Sequence, residues 1–152
     1  MDRPTILVAN AGKDLLSRLR VLMSSPDMEM LGLDSEADVV SRLQERPPNL
    51  VIACSNGGDA RRGLELIRQV RQLSKLTPVV FITGQSSERL AIEALRAGAD
   101  DYFKFPFSDN SLQTSFKRLK LLRTSARRII RFCCSIGVRQ IPRTWNALQY
   151  WE

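Results

Sequence analysis

Side chains that could carry out chemistry are few in this sequence, and their types exclude several mechanisms. The 152 residues include no histidine, which removes the commonest general base and any histidine-based phosphotransfer or catalytic triad. The three cysteines, Cys54, Cys133 and Cys134, form no CxxC pair, so neither a disulfide framework nor a zinc site is supported. This cysteine usage predicts a reducing, cytoplasmic compartment.

The remaining candidate residues follow short apolar runs that have the length and composition of buried strands. They are the segments Asn10-Ala11-Gly12, Cys54-Ser55, Thr83-Gly84 and Lys104-Phe105-Pro106. In an open parallel sheet, functional sites form outside the carboxyl ends of the strands. These four segments are therefore predicted to decide the function.

Five strand-like runs alternate with segments in which apolar residues recur at helical spacing. The runs span residues 5–9, 28–34, 50–54, 78–82 and 101–104. Helices are predicted over residues 13–23, 63–74 and 88–97, after a cap at Ser35, and from about residue 109. The predicted inward faces are Leu15, Leu19 and Leu22, then Ala37, Val40 and Leu43, then Leu66, Val70 and Leu73. This order predicts an α/β fold with a doubly wound, five-stranded parallel sheet flanked by helices.

The sequence resembles the receiver domain of two-component response regulators over roughly residues 4–123. The strongest match is residues 91–102 followed by residues 106–108, and shorter matches lie at residues 5–9, 48–52 and 63–67. These five segments agree with the receiver pattern in their order. The resemblance implies a flavodoxin-like receiver fold and a role in phosphorelay signalling.

Receivers take a phosphoryl group from a histidine kinase onto an aspartate at the end of the third strand. Two acidic residues after the first strand help to hold Mg²⁺, and a lysine after the fifth strand pairs with the phosphate. By this resemblance, Asn10 and Ala11 occupy the positions of the acidic pair, and Cys54 occupies that of the phosphoacceptor. Phe105 occupies the position of the lysine, while Lys104 is displaced by one residue.

These replacements remove most of the chemistry that the resemblance implies. Mg²⁺ needs hard oxygen ligands, whereas Asn10 offers one carbonyl, Ala11 offers none and Cys54 offers a soft sulfur. Phe105 is expected to fill the vacated space with apolar volume. Lys104 cannot take its place, because a shift of one residue along a strand points a side chain to the opposite face. We therefore predict no catalytic residue, no bound metal and no cofactor.

Thr83 and Tyr102 match the switch residues of receivers, but each also has a structural interpretation. Thr83 could simply bond to local backbone, and Tyr102 could be a half-buried strand aromatic. Cys54 is interpreted as a small buried apolar residue, with redox sensing as a minor alternative, because no neighbouring cation activates its thiol. Asp14 and Asp59 lie near the site in sequence but not at the matching positions, so they are interpreted as surface charges.

The positive charge is concentrated in the last quarter of the chain. Residues 1–116 carry 14 basic and 15 acidic residues, a net charge of −1, whereas residues 117–152 carry 9 basic residues and Glu152, a net charge of +8. We divide the chain into a receiver-like domain, residues 1–123, and a basic helical C-terminal extension, residues 124–152. An apolar seam through Ala126, Ile129 and Cys133 predicts a homodimer formed by the last helix.

The leading hypothesis is a degenerate receiver that signals by binding a protein partner, either a histidine kinase or an output protein. The first alternative is a DNA-binding transcriptional regulator that uses the basic C-terminal tail, although only non-specific nucleic-acid binding is predicted because no base-reading helix is identified. The second alternative is a phosphorylatable receiver with an unusual site. No membrane partner is expected, since no apolar run is long enough to span a bilayer.

Overall fold

Strands and helices alternate in the computed structural model, which describes residues 4–23, 28–55, 60–85 and 87–119. The elements are β1 (Thr5–Ala9), α1 (Lys13–Met23), β2 (Glu29–Leu33), α2 (Glu36–Glu45), β3 (Leu50–Ser55), α3 (Ala60–Leu73), β4 (Val79–Thr83), α4 (Glu88–Ala97) and β5 (Asp101–Lys104). Residues 109–119 are also helical and are called α5 below. The predicted extension, residues 124–152, lies outside the described residues, so its boundary and its helical seam stay predictions.

The five strands form one sheet in the order β2-β1-β3-β4-β5, and each neighbouring pair is parallel. Strands β3 and β4 are buried at every position, as expected of strands covered on both faces. Helices α2, α3 and α4 contribute to the apolar core on one face, and α1 and α5 contribute to the core on the other. The predicted fold class is therefore confirmed.

Alternation along each strand separates the side chains into these two cores. In β3, Val51 and Ala53 belong to the core under α2, α3 and α4, which we call core A. Leu50, Ile52 and Cys54 belong to the core under α1 and α5, which we call core B. Successive residues of a strand therefore face opposite cores, and a shift of one position moves a side chain from one core to the other.

The inward faces of three helices differ in detail from the prediction. Leu22 is only half-buried in α1, and Met23 is buried instead. In α2 the buried residues are Val39 and Leu43, while Ala37 is exposed. Ser35 is the N-cap of α2, but its side chain makes no capping hydrogen bond. The helical period of a sequence predicts the apolar face of a helix only approximately. The elements that pack on the helix decide which residues at the margin of that face are buried.

Helix α3 begins at Ala60, three residues before its predicted start, and it buries Leu64 and Ile67 as well as the predicted Leu66 and Val70. Leu73, its last residue, was expected to face inward but is 45% exposed. The helix packs closely on β4, since a Cβ added at Gly63 would lie 2.4 Å from Cε2 of Phe81.

One arginine joins the elements at the amino ends of β4 and β5. Arg71 donates hydrogen bonds to the carbonyl of Gly98 at 2.7 Å and to that of Thr77 at 2.7 Å, and it pairs with the carboxylate of Asp100. That carboxylate also accepts the backbone N–H of Val79 at 2.8 Å. The network fixes the ends of the strands that lie opposite the candidate site.

Candidate functional site

The carboxyl ends of β1, β3, β4 and β5 meet at one edge of the sheet. Ala9 pairs with Ala53, and Thr83 pairs with both Ser55 and Lys104. The backbone N–H of Gly84 bonds to the carbonyl of Ser55 at 3.3 Å. The topology therefore places Asn10, Cys54, Thr83 and Phe105, each within one residue of the end of its strand, at one edge.

Asn10 and Ala11 form the turn between β1 and α1. Asn10 has a φ of 58°, in the left-handed region that asparagine tolerates better than most residues, and its N–H donates to the carbonyl of Leu33 at 2.9 Å. Ala11 is partly buried and packs against core B. The turn thus offers one amide side chain and no carboxylate where receivers carry two acids.

Cys54 lies inside core B and is 2% exposed. Burial raises the pKa of the Cys54 thiol to about 12, because the apolar surroundings disfavour the thiolate. The thiol therefore stays protonated at neutral pH. A buried, protonated thiol is inert as a nucleophile, which agrees with the structural interpretation of this residue.

Phe105 packs partly buried against core B, the same core that contains Cys54 and contacts Ala11. Its ring centroid lies 5.8 Å from that of Phe107 in an edge-to-face arrangement, with an interplanar angle of 70°. Lys104 is exposed. Apolar contacts therefore occupy the position where the resemblance implies a phosphate-binding lysine.

Thr83 and Tyr102 do not belong to core B. Thr83 is 1% exposed, and its hydroxyl donates to the carbonyl of Gln85 at 2.8 Å and accepts the N–H of Gln85 at 3.2 Å. Tyr102 is half-buried against core A, with its ring centroid 5.8 Å from that of Phe81. Both side chains that match the switch residues therefore have local partners, and their switch role stays a prediction.

The residues at this edge do not fit a bound Mg²⁺ ion. The positions that the resemblance assigns to its ligands hold an amide, a methyl group and a buried thiol, whereas Mg²⁺ is usually held through one or two carboxylates. Among the described residues, no group of three or more His, Cys, Asp or Glu side chains could hold a metal. Asp14 is exposed in the first turn of α1, and Asp59 lies outside the described residues.

Two polar features escape sequence reasoning, one just after the carboxyl end of β5 and one at its amino end. Arg18, placed outside the apolar stripe of α1, stands with its guanidinium over the ring of Phe107. Asp101 accepts hydrogen bonds from the hydroxyl of Ser115 and from Arg118, beside an open depression of about 410 Å³ between β5 and α5. Neither contact could be predicted from the sequence, because the partners lie on different elements and are 89 positions apart in one case and 14 and 17 in the other.

A parallel five-stranded sheet in the order β2-β1-β3-β4-β5, with helices on both faces, is the doubly wound architecture that receiver domains share. The family profile described as the response regulator receiver domain matches residues 6–117. The chain belongs to this family, whose members work in two-component signalling systems.

Curated relatives agree with this assignment. The KDP operon transcriptional regulatory protein KdpE of Escherichia coli is 31% identical over 121 residues, which cover 80% of this chain and 52% of KdpE. The C4-dicarboxylate transport transcriptional regulatory protein DctD of Pseudomonas aeruginosa is 39% identical over 56 residues, which cover 37% of this chain and 12% of DctD. The chain thus spans about half the length of KdpE and far less of DctD.

Solved structures share the fold. NtrX from Brucella abortus superposes with a TM-score of 0.76 at 21% identity, covering 98% of this chain and 33% of that chain. A response regulator from Thermotoga maritima superposes with a TM-score of 0.69 at 22% identity, covering 78% of this chain and 98% of that chain. At these identities the likeness shows the fold alone.

Proposed function

We propose that this chain is a receiver-type signalling domain that acts by binding a protein partner and does not accept a phosphoryl group at the position of Cys54. The observation that carries the proposal is the composition of core B at the edge of the sheet. Cys54 is buried there, and Ala11 and Phe105 pack against the same core. Three positions that receivers use for ions are thus neutral and packed on one apolar core.

The physical chemistry of these three positions is mutually consistent. Phosphoryl transfer depends on positioned oxygen nucleophiles and on cations that neutralise the phosphate charge. A protonated thiol cannot stand in for a carboxylate nucleophile, and Phe105 supplies no positive charge. Because the acids and the lysine are replaced together, no unbalanced buried charge is left behind.

The proposed partner is a histidine kinase or an output protein, and the chain itself is proposed not to be an enzyme. The cysteine usage supports a cytoplasmic location. Within the part of the chain that the structure describes, no helix has the length and apolar character needed to cross a membrane.

DNA binding by the basic tail is the second candidate, since relatives such as KdpE and DctD are named as transcriptional regulatory proteins and residues 117–152 carry a net charge of +8. Sequence-specific DNA binding would appear in a footprinting experiment as protection of one promoter that persists at physiological salt. Binding to any polyanion that disappears as salt is added would reflect only the charge of the tail.

Incubation with acetyl phosphate and Mg²⁺ is expected to leave the intact mass of the protein unchanged. The reason is that Cys54 replaces the acceptor while Asn10 and Ala11 replace the metal-binding acids. Mass spectrometry of the intact chain measures the result, with a receiver that retains the full acidic pocket as the positive control. A stoichiometric adduct that is stable in acid and released by hydroxylamine would overturn the proposal.

We also propose that the protein forms a homodimer through the face of α4, β5 and α5, continued by the predicted apolar seam through Ala126, Ile129 and Cys133. Ile92 and Leu95 of α4 are 42% and 54% exposed, which leaves apolar surface on this face. Added salt is expected to strengthen the dimer, because it screens repulsion between the two basic tails.

Sedimentation equilibrium at low and high salt tests the dimer with Leu95→Glu and a matched control. The control is Val21→Glu, an equally large change at an exposed position of α1. Leu95→Glu is expected to weaken association about tenfold or more, since burying an unpaired carboxylate is costly, while Val21→Glu leaves it unchanged. A wild-type monomer at every concentration, or equal effects of both variants, would contradict this interface.

A further inference from the structure

The loop between β5 and α5 is covered by aromatic rings and held from outside by an arginine of α1. The N–H of Phe105 bonds to the carbonyl of Thr83 at 2.8 Å, so the loop starts at the candidate site. Phe107 is 9% exposed, and its ring centroid lies 6.1 Å from that of Phe103 and 5.8 Å from that of Phe105. These three rings all pack into or against core B.

Arg18 makes three contacts with this loop. Its guanidinium carbon lies 5.5 Å from the centroid of the Phe107 ring. The Nη2 atom donates to the carboxylate of Asp109 at 2.6 Å and, at 3.4 Å, to the carbonyl of Phe107. A planar guanidinium is suited to this combination, because its face covers a ring while its edge donates hydrogen bonds.

Asp109 is the first residue of α5, so its carboxylate also interacts favourably with the unpaired N–H groups at the start of that helix. The ion pair with Arg18 therefore ties α1 to the first turn of α5 through a group that the helix itself favours. Residues 18, 107 and 109 form a unit, which we call the Arg18 clasp.

We propose that the Arg18 clasp holds the loop after β5 closed over core B, so that the position of this loop is set from α1 instead of by an ionic contact with the end of β3. Phe105 brings no charge to the end of β3, and Lys104 is exposed. Arg18 is thus a positioning residue. This inference goes beyond the proposed function and holds whether or not Cys54 accepts a phosphoryl group.

The exposure of the clasp makes it a local device. The side chains of Arg18 and Asp109 are 40% and 52% exposed, and ion pairs this open to water contribute little to global stability. Loss of the clasp is therefore expected to change local opening of the loop without unfolding the sheet. Local opening is what hydrogen exchange of single amides measures.

Amide hydrogen exchange followed by NMR tests the clasp in Arg18→Gln, with Arg20→Gln of the same helix as the matched control. The amides of Phe105, at the start of the loop, and of Leu112, in the first turn of α5, bond to Thr83 and Ser108 and are called the loop amides because they flank the loop. The amide of Val51, bonded to Pro78, reports on the sheet. Arg18→Gln is expected to speed exchange at the two loop amides about tenfold and to leave Val51 unchanged. Arg20→Gln is expected to change none of them.

Two further readouts separate positioning from general stabilisation. Asp109→Asn combined with Arg18→Gln is expected to have a smaller effect than the sum of the two single variants, because the residues act as one pair. Added salt is expected to speed loop exchange in the wild type and to have no effect in Arg18→Gln. Unchanged exchange at the loop amides in both single variants, or a rise that Val51 shares equally, would overturn the proposal.

Discussion

Replacing Cys54 by aspartate is expected to lower the free energy of unfolding by about 3–5 kcal/mol at neutral pH, and not to create a phosphoacceptor. The side chain at this position is 2% exposed inside core B. The position that carries a lysine in receivers holds Phe105, so a new carboxylate would find no cation there. An aspartate at position 54 would therefore carry a buried charge without the acidic pair, the metal ion or the lysine that accompany it in receivers.

The penalty is expected to depend on pH in a defined direction. Burial favours the neutral carboxyl, so the pKa of the new aspartate rises above its unfolded value of about 3.9. Below about pH 4 both states hold the proton and the penalty is smallest. As pH rises above that value the unfolded state releases its proton first, and stability falls until the pH passes the folded pKa.

Urea denaturation of Cys54→Asp and Cys54→Asn across this range measures the effect. Asparagine has nearly the same shape and no ionisable group, so the difference between the two variants isolates the charge. Equal stability of the two variants at neutral pH would mean that the end of β3 is not an apolar environment for a carboxylate.

The wild-type protein is expected to lose stability in alkali because of the same burial. The pKa of the Cys54 thiol is about 12 in the folded chain and 9.0 for the free group. Because the folded value is raised, the thiol's contribution to stability is complete below about pH 9 and is lost as pH rises towards 12. This difference in pKa corresponds to a loss of about 4 kcal/mol in the free energy of unfolding once the thiol is ionised in both states. About 2–3 kcal/mol of that loss is expected between about pH 9 and pH 11.

Denaturation curves of the wild type and of Cys54→Ala, both with Cys133 and Cys134 changed to serine, isolate this contribution. The two proteins differ only at residue 54, so the difference in unfolding free energy between them reports on Cys54. The difference is expected to shift against the wild type as pH rises. A constant difference from about pH 8 to about pH 11 would show that the thiolate forms as readily in the folded state as in the unfolded one.

The two predictions share one physical premise, which is that apolar packing stands where the family resemblance implies ionic groups. In receivers the acids, the metal and the lysine balance one another, so removing a single member leaves an uncompensated buried charge. This chain has a neutral residue at four of those positions, Asn10, Ala11, Cys54 and Phe105. Under the proposed function, the joint replacement of all four charged groups leaves no unbalanced charge at this edge of the sheet.

The order and most of the bounds of the elements could be predicted from the residues alone. Strand β1, helix α1, helix α4 and strand β5 begin and end where the sequence analysis predicts, and Gly98 closes α4 in the left-handed conformation. Apolar runs, helical periods and a terminal glycine are local signals, and local backbone preferences decide these features. The chemical types at the strand ends are also read directly from the sequence, and the degenerate phosphorylation site that they suggest stays a prediction.

Tertiary structure alone decided which side chains those elements bring together. Leu73 was expected to face inward but is exposed, because its cover depends on neighbouring elements and not on its own helical period. Arg18 and Asp109 stand 91 positions apart, and Ser115 and Asp101 stand 14 apart on different elements. No periodicity within one segment encodes such pairs. They form because the parallel sheet, with its helices on both faces, places α1 beside α5 and carries the loop after β5 between them.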